Sequence, residues 1–157
     1  RRMPSPRSYV WPLAAVLLSA ALLVAGADRG ATREAVASLL STTQTVLGQP
    51  IVYPTEAPAK VAAAVVTMQP GEETGWHQHD VPMFGYILDG EVTVDYGAKG
   101  THVYRRGDAI VEAVDVPHNG RNTGAGEARI LSVFMGAEGV PNTQMLPGYA
   151  APAAAPQ

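Results

Sequence analysis

Two histidines, His77 and His79, are separated by a single residue. On an extended strand, residues two apart point to the same side, so both imidazoles face one way. Two neutral imidazoles on one side can chelate one cation, which adjacent residues could not do. The same spacing also suits two solvated or hydrogen-bonded histidines, so the pair alone is a weak signal. The chain has no cysteine. Disulfides, thiolate metal sites and cysteine nucleophiles are therefore excluded, and any metal must be held by His, carboxylate, thioether or water.

Glu112 is the next residue whose type and place could do chemistry. It interrupts the apolar run Ala109-Ile110-Val111-Glu112-Ala113, shortly before His118. A carboxyl group turned into an apolar interior has a raised pKa and can act as general acid or base. Turned outward, it is an ordinary solvated glutamate, and the parity of the run leaves both directions open.

The elements that must position these side chains read as short strands and turns. Gly (16) and Pro (13) are frequent, which favours turns over long helices. Residues 31–40 read as one short helix with Thr32 as N-cap. Strands are expected at Ile51–Tyr53, Val61–Met68, Phe84–Leu88, Glu91–Tyr96, Thr101–Arg105, Ala109–Ala113 and Ala128–Met135. Asp89-Gly90 between two of them predicts a tight hairpin. In Glu91–Tyr96 the alternation is clean and turns Val92, Val94 and Tyr96 inward. Asn119 and Asn122 fall in an expected turn after His118. Short strands at this spacing predict a sandwich or barrel.

Set in this order, the motifs resemble those of the cupin family. Gly71, His77, His79 and Gly90 fall on the spacing of the family's first motif, and Gly107, Asp108, Pro117, His118 and Asn122 on that of the second. The resemblance covers about residues 60–136. It implies an all-β, single-domain cupin, a double-stranded β-helix or jelly-roll barrel, over residues 51–140. It implies one divalent transition metal on His77, His79 and His118, and a possible homodimer. The family's usual glutamate ligand falls at Met83, and the usual Pro and Gly of the second motif fall at Ala113 and Asp115. A thioether at Met83 could bind Cu(I). The plainer reading makes Met83 an apolar pocket wall. Glu112 could replace the missing carboxylate from another strand. Three neutral imidazoles with open positions suit Fe, Zn, Mn, Ni or Cu. Trp76, Phe84, Tyr86 and Asn122 are read as further pocket residues, and His102 as a surface histidine.

The ends of the chain read differently. Arg1, Arg2 and Arg7 precede an apolar run over residues 10–25, and small residues close it at Ala25-Gly26-Ala27. That pattern predicts a signal peptide over residues 1–27, hence an exported, periplasmic or secreted protein. The alternative is an uncleaved membrane anchor at residues 10–25, although a span needs about 20 apolar residues. Residues 28–50 then hold the helix and a lead-in, and the Ala/Pro-rich residues 141–157 read as a disordered tail. Cleavage after Ala27 would remove three of the eleven basic residues and none of the fourteen acidic ones, leaving a net charge of −6. No basic patch remains, so nucleic acid is not an expected partner. The expected partner is a small molecule, oxidised in a dioxygenase-like reaction or isomerised at the metal. The alternative is a module that binds metal or ligand without chemistry.

Overall fold

The computed structural model describes residues 36–152. The expected signal peptide or anchor lies outside them, and no helix of the described residues is long and apolar enough to cross a membrane.

Nine strands are found among the described residues. They are β1 (Ala59–Met68), β2 (His77–Gln78), β3 (Met83–Asp89), β4 (Glu91–Asp95), β5 (Thr101–Arg105), β6 (Ala109–Val111), β7 (Asn119–Asn122), β8 (Ala128–Ala137) and β9 (Gln144–Met145). One sheet has the order β1-β8-β3-β6, a second β5-β4-β7, and β2 pairs with β9 in a third. All the ladders are antiparallel. This is the all-β, barrel-like architecture expected. Its core gathers Met68, Ile87, Val92, Val94, Tyr96 and Tyr104 with the small residues Ala113 and Ala128. Val92, Val94 and Tyr96 are buried as the alternation required.

Four local expectations are corrected. Asp89-Gly90 does not close a hairpin. β3 pairs with β6 and β8, whereas β4 pairs with β5 and β7, so the dipeptide is a corner carrying the chain between sheets. A period of two fits a strand on either side of a corner or a hairpin, so the local pattern could not tell them apart. The corner needs glycine. Gly90 has φ 76°, and a Cβ there would lie 2.7 Å from Ala128 Cα and from the Glu127 carbonyl oxygen.

The described part of the expected helix, Val36–Leu40, has no helical structure. Val36 and Leu39 are exposed there, and a helix this short does not persist without a surface to bury its apolar side. Ile51–Tyr53 forms no strand either. Ile51 N–H reaches the Thr43 carbonyl in a local loop, and Val52 and Tyr53 are exposed. Lastly, the expected turn at Asn119–Asn122 is strand β7, whose Gly and polar residues hide a strand from any propensity argument.

In the segment expected to be a disordered tail, residues 141–152 are described and hold β9. Leu146 N–H donates to the Trp76 carbonyl at 2.9 Å. The Trp76 and Tyr149 rings lie 5.1 Å apart, centroid to centroid. Ala/Pro composition is blind to such contacts, which depend on where the segment docks.

Candidate metal centre

The site is built from backbone pairing. β2 is only two residues long, yet His77 and His118 exchange both backbone hydrogen bonds, at 3.0 and 2.8 Å. The His79 carbonyl accepts the Asp115 N–H at 2.8 Å. Asp115 adopts φ 54°, the left-handed conformation that a short polar side chain tolerates. It stands where the resembling family has glycine.

His77, His79 and His118 are all buried, and one ligand nitrogen from each lies within 4.8 Å of the others. The ring centroids are 4.4 Å apart for His77 and His118, 5.1 Å for His77 and His79, and 5.0 Å for His79 and His118. In each ring Nδ1 is engaged elsewhere. His77 Nδ1 meets the Gly75 carbonyl at 2.8 Å and His118 Nδ1 the Val116 carbonyl at 2.8 Å. His79 Nδ1 meets the Asn142 carbonyl and Thr143 Oγ1, both at 3.1 Å. A carbonyl oxygen only accepts, so each Nδ1 carries the proton and each Nε2 keeps its lone pair. Burial lowers the pKa of all three, His79 to about 3 with the neighbouring imidazoles adding to the effect. Three neutral imidazoles with fixed tautomers and converging lone pairs suit one divalent metal.

These rings line a cavity of about 230 Å³. Glu112 lines it too, with 3% of its surface exposed. It is not one of the three residues whose ligand atoms lie within 4.8 Å of one another. Its direction, which parity left open, is inward. Oε1 accepts the Tyr96 hydroxyl at 2.8 Å and the Ala113 N–H at 2.7 Å. Desolvation pushes its carboxyl pKa up against those two hydrogen bonds. Oε1 thus takes both donors, and Oε2 has no hydrogen-bond partner among the described residues.

Behind Glu112 runs a chain of groups that the sequence did not suggest. Tyr96 OH lies 3.2 Å from Tyr104 OH, which lies 3.2 Å from His102 Nδ1. Burial raises both phenols, Tyr104 to about 12, so they stay protonated donors. His102 is thus half-buried and bonded rather than a surface histidine, though it is no part of the metal cluster. The inward parity of His102 and Tyr104 on β5 was the available signal. Thr143 and Met145 also line the cavity, from the C-terminal segment.

Met83 lines the cavity as an apolar wall. Four other expected pocket residues do not line it. On β3, Met83, Gly85 and Ile87 take the inward positions, so Phe84 and Tyr86 point to the opposite side of the sheet. Trp76 packs against Tyr149 instead, the two rings tilted by 49°. Asn122, 1% exposed, spends its side chain on backbone groups, donating to Met68 and Gly126 carbonyls and accepting the Gly124 N–H.

A family model described as a cupin domain matches residues 64–134. Among solved structures, the chain is similar to oxalate decarboxylase of Lactobacillus farciminis in its formate complex. The TM-score is 0.48 and the identity 25%, over 55% of this chain and 26% of that one. Bacillus subtilis oxalate decarboxylase at pH 4.6 gives 0.47 and 24%, over 55% and 23%. The DMSP lyases RdDddP and RnDddQII give 0.47 and 19%, over 55% and 44%. The chain thus spans less than half the length of each neighbour. A comparison with curated proteins finds no match.

Proposed function

Residues 64–134 are a cupin domain, and from that premise we propose that the protein is a metal-dependent enzyme that oxidises or isomerises a small organic molecule. The observation that carries the proposal is the pairing of three histidines, each with Nδ1 tied back, with a buried carboxyl group opening on the same cavity. A divalent ion held by the three Nε2 atoms would supply Lewis acidity to a bound oxygen or, if redox-active, chemistry with dioxygen.

The remaining work falls to the chain's own residues. Apolar walls exclude water and strengthen every polar contact inside. Glu112, with Oε1 already bonded, can take up and give up a proton at Oε2 as general acid and base. Tyr96 fixes the orientation of that carboxyl group. Thr143 and the Asn142 carbonyl fix that of His79. The pattern of residues 1–27 supports placing this activity outside the cytoplasm, which N-terminal sequencing of the protein from its natural compartment would test.

Oxygen uptake by the Fe(II)-loaded protein with 1,3-diketones and small thiols, together with isomer analysis of the recovered compounds, tests the proposal. Turnover is expected, and Glu112→Gln should retain metal while the rate falls by about 100-fold or more. Turnover undiminished in that variant would remove Glu112 from the mechanism. Metal-loaded protein without turnover of any kind would favour a module that only binds.

A further inference from the structure

Beside the three histidines, four other side chains form a line of their own. Glu112 Oε1 lies 2.8 Å from Tyr96 OH, which lies 3.2 Å from Tyr104 OH, which lies 3.2 Å from His102 Nδ1. Tyr96 directly follows β4, Tyr104 and His102 stand on β5, and Glu112 directly follows β6.

A hydroxyl has one proton to donate, and that fixes the order of the line. While Glu112 is a carboxylate it only accepts, so the Tyr96 proton goes to Oε1. The Tyr96 oxygen then accepts from Tyr104, and the Tyr104 oxygen accepts in turn from His102 Nδ1–H. All the donors point one way, from His102 toward Glu112. With a proton on Oε1 every bond reverses, and Tyr104 donates to a bare Nδ1. Burial keeps both phenols protonated, so they hand a proton on without storing it.

The two ends open on different surroundings. Glu112 lines the cavity, and His102 does not. His102 is half-buried on β5, the edge strand of its sheet, between exposed Thr101 and Val103. Its Nε2 bonds no described residue and is not among the buried atoms left without a partner, so it meets solvent. Tyr96 and Tyr104 face it with ring centroids 5.4 and 6.2 Å away, and the Glu112 carboxyl group feels its charge.

We propose that His102, Tyr104 and Tyr96 are a proton relay between solvent and Glu112, which reloads the acid–base group of the cavity from its far side. This rests on the reading of Glu112 as general acid and base. In one passage a solvent proton bonds to His102 Nε2 while the Nδ1 proton leaves for Tyr104. The Tyr104 proton moves to Tyr96, and the Tyr96 proton to Oε1. The carboxylate becomes a carboxylic acid, and His102 stays neutral with its proton moved from Nδ1 to Nε2. A half-turn about the Cγ–Cδ bond brings the new O–H to the cavity. Exchange of the imidazole proton with solvent and a turn of both hydroxyls restore the first order.

Infrared spectroscopy of the Zn(II)-loaded protein tests the relay without a substrate. Protonated Glu112 is read from its carboxyl C=O stretch, the band that Glu112→Gln removes, and a laser-triggered proton pulse gives the rate at which the band rises. Tyr104→Phe deletes the middle hydroxyl and keeps the ring. His102→Gln keeps a hydrogen-bond partner for Tyr104 but cannot exchange protons, so a purely structural role would survive it. Both variants should retain the equilibrium band, yet it should rise about 100-fold more slowly than in the wild type, the low end for loss of a positioned proton-transfer group. Tyr86→Phe, on the opposite side of its sheet, should match the wild type. A wild-type rate in either relay variant overturns the relay and leaves Glu112 as acid and base. Absence of the band at every pH overturns both.

Discussion

His77 and His118 are a reciprocal backbone pair, each donating its N–H to the other's carbonyl, with their rings 4.4 Å apart. Two of the three imidazoles are therefore set against one another by main chain, not by long flexible side chains. Removing one ring leaves that pairing intact. His118→Ala should keep the wild-type far-ultraviolet circular dichroism, while its affinity for Zn(II) falls by about 100-fold or more, at least the upper range seen for changes in outer-shell partners. His102→Ala, which alters a histidine outside the cluster, should leave affinity unchanged. Competition against a chromogenic chelator reads both.

His79 depends on the C-terminal segment. Its Nδ1 is held by Thr143 Oγ1 and the Asn142 carbonyl, both at 3.1 Å. Thr143→Val keeps the shape and deletes the hydroxyl. With the carbonyl still present, metal affinity should drop by about tenfold, the low end for loss of an outer-shell partner. The same chelator competition measures it, and an unchanged value would show that the carbonyl alone orients the ring.

The buried histidines make the metal-free protein sensitive to acid. His79 has its pKa lowered from 6.5 to about 3 by burial first and the neighbouring imidazoles second. Below pH 6.5 the unfolded chain binds a proton there that the native state refuses, so stability present above that pH is lost as pH falls toward about 3. By pH 5 the loss from His79 alone should be about 2 kcal/mol. Urea denaturation of metal-free protein at pH 7 and pH 5 measures it, and His79→Gln should shrink the difference, leaving the part due to His77 and His118.

Glu112 works in the opposite sense. Burial raises its pKa above 4.5. Its contribution is therefore complete below that pH and is lost as pH rises through the native value, because the unfolded chain ionises first. Glu112→Gln should gain stability relative to the wild type as pH rises above about 4.5. A difference that shrinks with rising pH would mean that the native carboxyl group is ionised.

Asn122 separates fold from site. Its side chain serves three backbone groups while buried, and it does not line the cavity. Asn122→Ala should cost about 3 kcal/mol of unfolding free energy, close to 1 kcal/mol for each lost bond. Metal stoichiometry should not change. Urea titration and metal analysis of the same preparation test the two halves of that statement.

The legibility of the molecule in its residues follows the range of each signal. Alternation placed Val92, Val94 and Tyr96 inward, because a two-residue period with a polar partner at every step has one reading. In Ala109–Ala113 both parities are apolar, so nothing local could aim Glu112. On β3 the reading of Met83, Phe84 and Tyr86 as one pocket wall conflicted with that period, since Met83 and Phe84 cannot share a side. The Asp89-Gly90 corner escaped because a dipeptide encodes a turn and not the sheet to which each arm belongs. The hold of Thr143 on His79 escaped for a broader reason. The two residues are far apart in the chain, and only docking of the C-terminal segment brings them together.

The claim on which all of this stands is that His77, His79 and His118 share one divalent ion through Nε2. X-ray absorption at the zinc edge of protein loaded with Zn(II) tests it most directly. Three imidazole nitrogens at about 2.0–2.1 Å are expected, from one ion per chain, with the third lost in His118→Ala. A spectrum with fewer than three imidazoles in the wild type, or one unchanged in that variant, would contradict it.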